Sequence, residues 1–99
     1  MLSKNPIDLP VGKKFSKEEL AEALRHSIAA ELDAINLYLQ FARAVEDEKI
    51  RRVFEDIAKE EKTHVGEFLA LLLTLDPGQV DELKAGKKEI EELTGLKVP

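Results

Sequence analysis

Beyond Ser16, apolar positions recur every three or four residues, and alternation of the kind a strand needs never lasts a strand's length. In "SKEE", Ser16 can cap free backbone amides while Glu19, three residues on, reaches back to it, which predicts a helix starting there. Nothing interrupts that helix until about Val45, and Asp47 then offers a new cap with Glu48 in the first turn. A second helix is predicted from Glu48 to about Leu73. "DPGQ" at 76–79 reads as a turn, and "VDELKAGKKEIEELTG" as a shorter, more polar helical stretch interrupted at Gly86 and stopped at Gly95. Residues 1–15 hold Pro6 and Pro10 and no period, the mark of an extended arm. The expected organisation is therefore an arm over 1–15, a helical hairpin over 16–75, and a turn, short C-terminal helix and tail over 76–99. The fold class is all-α, an antiparallel two-helix hairpin plus a short third helix.

Around the first helix, at about 100° per residue, Leu20, Leu24, Ser27, Ile35, Tyr38, Ala42 and Val45 all fall within about 40° of Glu31. Around the second, Ile50, Phe54, Ile57, Val65, Phe68, Leu72 and Leu75 lie within about 40° of Glu61, and His64 about 60° away. Two acids thus sit in the middle of two apolar stripes. Ala23, Leu32, Ala34, Leu39 and Phe41 widen the first stripe beyond what one antiparallel neighbour covers, so the surplus should be buried against a second copy.

Length supports that expectation. A single domain of 99 residues buries only about 60–65% of its unfolded surface, and association is the usual remedy. The longest greasy run, "FLALLLTL", is too short to span a bilayer, and the N-terminus holds no apolar core of signal-peptide length, so a soluble, cytoplasmic chain is expected. A net charge of −5 without a basic cluster disfavours nucleic acid and suits cations. The chain has no cysteine, which leaves histidine, carboxylates, tyrosine and backbone as metal ligands.

If the hairpin turns near Glu46 and Asp47, Glu31 lies roughly 23 Å from the turn, Glu61 roughly 22 Å and His64 roughly 26 Å, at 1.5 Å per residue. All three meet at one level. An ionised carboxylate in an apolar seam costs several kcal/mol unless a cation or hydrogen bonds offset it. Carboxylate and imidazole donors together suit iron, manganese or zinc, and the i, i+3 spacing of Glu61 and His64 aims both from one helical turn. Two copies about a two-fold axis would supply a glutamate from each of two helices and a Glu-x-x-His from each of the others, the donor inventory of di-iron carboxylate four-helix bundles.

The segments "AELDAINLYLQ", 30–40, and "EEKTH", 60–64, closely resemble the encapsulated ferritin family, and the likeness covers about residues 20–75. It implies a ferritin-like four-helix bundle formed by a homodimer, a ferroxidase centre with two irons per dimer, an annular decamer, and residence inside an encapsulin nanocompartment in the cytoplasm. The family's bridging glutamate falls on Glu31, its Glu-x-x-His pair on Glu61 and His64, and its neighbouring tyrosine on Tyr38. Leu37 stands where an aromatic residue usually precedes that tyrosine, and Ala30 replaces the companion of Asp33 in the outer acidic pair. The C-terminal "TGLKVP" contains no targeting tail and suits a junction to a shell protein, to which some relatives are fused. The reaction implied is oxidation of ferrous iron by dioxygen or peroxide, with ferric iron delivered for mineral storage.

Plainer readings stand beside these. Tyr38 serves equally as core packing or as a residue behind the ligands. His26, about 140° from Glu31 among polar neighbours, is expected at the surface. Glu60 and Glu67, with Asp56 nearby, form either a solvated face or, with Asp33, a route that guides cations inward. The alternatives for the whole chain are a non-enzymatic, zinc-binding oligomerisation module and a rubrerythrin-like peroxide-reducing protein, although the latter carries four helices in one chain.

Overall fold

The computed structural model describes residues 12–99 and contains three helices, α1 (Lys17–Ala44), α2 (Glu48–Leu75) and α3 (Pro77–Thr94). Residues 1–11 of the expected arm lie outside the described residues. The capping box forms as read. Ser16 Oγ accepts the Glu19 amide at 3.1 Å, and Glu19 Oε1 accepts the Ser16 amide at 3.0 Å. That backbone amide, helped by the Ser16 hydroxyl and Lys13, holds the Glu19 carboxyl below its ordinary value of 4.5.

Only Val45, Glu46 and Asp47 separate α1 from α2, so the two helices can only run back to back. Both ends at this turn are satisfied by side chains. Asp47 accepts the amides of Lys49 and Ile50 at 2.8 and 3.3 Å, and Arg51 donates Nε to the Ala42 carbonyl at 3.2 Å and Nη2 to the Val45 carbonyl at 2.9 Å. An α2 side chain thereby takes up carbonyls that the end of α1 leaves open.

The hairpin is packed in two zones. Near its open end Ala21, Leu24 and Leu72 are buried, with Ile28, Phe68, Leu69 and Leu75 against them. Near the turn, Phe54 stacks on Tyr38 at 6.3 Å between ring centroids and meets Phe41 edge-on at 5.6 Å. Ala42 and Ala58 are buried, and small side chains there let the helices approach closely. Buried positions of each helix lie on one side of its glutamate, within about 80°. Leu20, Leu37 and Phe41 of α1 and Ile50, Val53 and Leu71 of α2 lie on the other side and are exposed. Because the helices are antiparallel, equal senses of rotation bring both sets to the same flank of the hairpin. The surplus apolar surface read from the sequence is therefore one continuous flank.

Two expectations for the C-terminal part change. α2 runs to Leu75, and "DPGQ" is a one-residue corner at Asp76, because Pro77 has no amide to satisfy and starts α3 directly. Gly86 does not interrupt α3; it sits inside a continuous helix, since glycine only weakens a helix by about 1 kcal/mol relative to alanine and leaves its hydrogen bonds intact. Gly95, at φ 76°, ends it as expected. α3 contains no buried residue, and the described residues extend 48 × 46 × 22 Å. Two packed helices are about 20 Å across, so the second dimension is reached because α3, about 27 Å long, stands away from the hairpin. No helix among the described residues is long and apolar enough to cross a membrane.

Leu72 is among the most enclosed large side chains of this small core. Leu72→Ala should lower unfolding free energy by about 2–4 kcal/mol in urea denaturation. The Glu19 carboxyl has its folded-state value depressed, so its contribution is present above the unfolded value and lost as pH falls through the folded one. Acid titration of thermal stability should therefore show a loss below pH 4.5 that is smaller in Glu19→Gln, which has no carboxyl to protonate.

Candidate metal centre

Between the aromatic and aliphatic zones, Glu31 of α1 faces Glu61 and His64 of α2. His64 Nδ1 lies 3.3 Å from Glu31 Oε2 and 3.5 Å from Glu61 Oε2, and one donor atom from each residue falls within a group no wider than 4.8 Å. Among the described residues no other group of three such side chains converges. The matched depths follow from helix geometry: Ala44 lies thirteen positions after Glu31, and Glu61 thirteen positions after Glu48, so an equal rise brings them level.

Donors on opposite sides of a cation, with bonds of about 2.1 Å, lie at most about 4.2 Å apart. The observed spread needs a contraction of only about half an ångström, within reach of rotamer adjustment. Two carboxylates and one imidazole form a hard to borderline donor set that fits iron, manganese or zinc. An ionised carboxylate oxygen only accepts, so with Glu31 ionised its contact with His64 calls for the Nδ1–H tautomer, and a cation held by the three donors would take the place of that proton.

Exposure is uneven. The side chains of Glu31 and Glu61 are 22% and 18% exposed, that of His64 46%. His64 opens towards the flank that carries Val53 and Leu71. One chain thus presents three donors beside an uncovered apolar surface and leaves coordination positions free.

The other candidates stay outside this group. Tyr38 is half-buried and engaged by Phe54. Asp33, Glu60 and Glu67 are exposed, and none joins the converging donors. His26 departs from the surface placement expected of it: its ring is half-buried, and Nδ1 is enclosed without a hydrogen-bond partner. Helical side chains lean back over the preceding turn, so a ring on a polar face still shields its inner nitrogen. The pairing of Arg25 with Asp76 and the caps supplied by Arg51 had no local signal, because they join residues far apart in the chain or on different helices.

An all-helical chain with paired glutamates and a Glu-x-x-His turn at one level defines the ferritin-like class of carboxylate–histidine proteins. Comparison with known proteins agrees: the family model described as Rubrerythrin matches residues 22–97. The crystal structure of the encapsulated ferritin domain from Pyrococcus furiosus superposes with a TM-score of 0.87 at 58% identity, covering 99% of this chain and 100% of that one. The chain belongs to the encapsulated ferritin family. It is also 60% identical over 96 residues to the ferritin-like-encapsulin shell fusion protein of Pyrococcus furiosus, covering 97% of this chain and 28% of the fusion. The encapsulin nanocompartment cargo protein EncC of Myxococcus xanthus is 34% identical over 90 residues, covering 91% of this chain and 69% of that protein.

The two histidines give a direct test of the site. His64→Ala should weaken binding of ferrous or cobaltous ions by at least about tenfold in calorimetric titration. His26→Ala should leave the affinity unchanged, and equal losses would show that the Glu31–Glu61–His64 group is not the site.

Proposed function

We propose that the chain is a ferroxidase whose reactive centre is completed by a second copy. It would take up ferrous iron at paired sets of Glu31, Glu61 and His64, pass electrons to dioxygen or peroxide, and deliver ferric iron for mineral storage inside an encapsulin compartment. The observation that carries this reading is the convergence of those three donors beside an exposed apolar flank. A flank of that extent is covered in a stable protein, and covering it with an identical chain about a two-fold axis doubles the donors from three to six.

Charge is balanced in the same arrangement: the two carboxylates of each chain match one ferrous ion, so four from two chains match two. Bound iron supplies the one-electron steps. Glu31, shared between the copies in this reading, would help to hold both irons, and the Glu61–His64 pair of each chain would hold one of them. Tyr38 lies two turns from Glu31 on the same face, and its packing against Phe54 keeps its ring towards the seam.

The relatives support an encapsulin setting. A close relative is a ferritin-like domain joined to a shell protein, and a more distant one is shell cargo. Two long helices enclose no volume for mineral, so an outer wall is required, and an annular decamer housed within a shell satisfies this. A peroxide-reducing role in the manner of rubrerythrins would employ similar donors, but in this chain it would still depend on the second copy.

Aerobic oxidation of ferrous iron, followed optically alongside sedimentation, tests the reading. The expected stoichiometry is about one iron per chain on an even-numbered oligomer. Glu31→Ala should cut the initial oxidation rate by more than about tenfold while disturbing assembly less. Tight binding by a stable monomer, or the parent rate in Glu31→Ala, would remove the shared centre.

A further inference from the structure

The corner between α2 and α3 rests on one residue with an unusual number of tasks. The Asp76 amide donates to the Leu72 carbonyl at 2.9 Å and closes α2, while Asp76 Oδ1 accepts the Gln79 amide at 3.3 Å and caps α3. Its other oxygen, Oδ2, accepts from Arg25 Nη2 at 2.9 Å, across from α1. Because α2 ends at Leu75 and Pro77 already belongs to α3 with a fixed φ, the direction of α3 is set almost entirely by φ and ψ of Asp76, here −129° and 82°. No buried residue of α3 supplies a second anchor.

We propose that the Arg25–Asp76 ion pair is an ionic-strength-sensitive latch that fixes the angle at which α3 leaves the hairpin. Leverage makes the angle consequential. Over a helix about 27 Å long, a 20° change at the corner moves the far end by about 9 Å. The displaced end carries Ile90 and Leu93, which with Val80 and Leu83 recur at i, i+3, i+10 and i+13 along one apolar stripe; Leu93 is 82% exposed. The latch therefore governs where that stripe is presented.

The pair suits such a role because it is neither deeply buried nor fully solvated: the Arg25 side chain is 50% exposed and the Asp76 side chain 30%. At 0.1 M salt the screening length, about 10 Å, exceeds the contact distance, whereas at 1 M it falls to about 3 Å and matches it. A competing partner is at hand. Glu22, one turn before Arg25 and on the wall of the same surface cavity of about 400 Å³, can receive the guanidinium when Asp76 releases it. Lys17 and Glu18 complete the charged rim of that cavity.

The native chain has no cysteine, so spin labels can be placed cleanly on Ala29→Cys in α1 and Glu92→Cys in α3 of the full chain, diluted with unlabelled protein. Pulsed electron–electron distance measurements should give one narrow distribution at 0.1 M sodium chloride and at least about twice that width at 1 M. Arg25→Gln and Asp76→Asn should be broad already at low salt and insensitive to further salt. Asn retains the cap acceptor, which separates loss of the ion pair from loss of the cap. Ferrous oxidation should be unaltered in both variants, since neither residue belongs to the metal centre. A width in the labelled parent that does not change with salt, or variants as narrow as the parent, would overturn the latch, and the salt series leaves the ion pair itself unsubstituted.

Discussion

Two carboxylates placed in the seam of a helical hairpin impose the main physical demand on this molecule. Each would cost several kcal/mol if it stayed ionised among aliphatic neighbours without a partner. Glu31 and Glu61 meet the demand partly through His64, which stands within hydrogen-bonding distance of the first, and partly through residual access to water. Neither remedy is complete. The hairpin therefore keeps a polar break between its aromatic zone around Phe54 and its aliphatic zone around Leu72, and the stability of each zone depends on how that break is filled.

The same economy explains the exposed flank. A chain that placed Leu37, Phe41, Val53 and Leu71 inside its own core would have to turn the glutamates outward, because both sets share the helix surface next to the seam. Leaving the apolar set outside keeps the donors aimed inward. Under the two-fold arrangement proposed above, the surface left uncovered and the coordination left unfilled are answered by one event, so association and metal uptake should reinforce one another.

Much of this was legible in the sequence because it depends on regular geometry. Constant helical rise put Glu31, Glu61 and His64 at one depth, and the Ser16 and Asp47 caps were visible in four-residue patterns. What stayed hidden depends on particular encounters. Gly86 looked like a break because glycine is a poor helix former, yet capping by Asp76 and Gly95 outweighs one weak position. The half-buried ring of His26 escaped a wheel that treats side chains as radial spokes. The Arg25–Asp76 contact spans 51 residues and required knowing where α2 stops.

Arg51, described above as finishing α1, has a bearing on the site ten residues away. By holding the Ala42 and Val45 carbonyls from the first turns of α2, it pins the longitudinal register of the two helices at the closed end of the hairpin. Slippage by one residue would offset Glu31 from Glu61 by about 1.5 Å and swing one of them through about 100°, out of the seam. A guanidinium at the turn thus acts as the alignment stop for carboxylates it never touches, and the precision of the donor cluster is inherited from the end of the hairpin rather than built where the cluster lies.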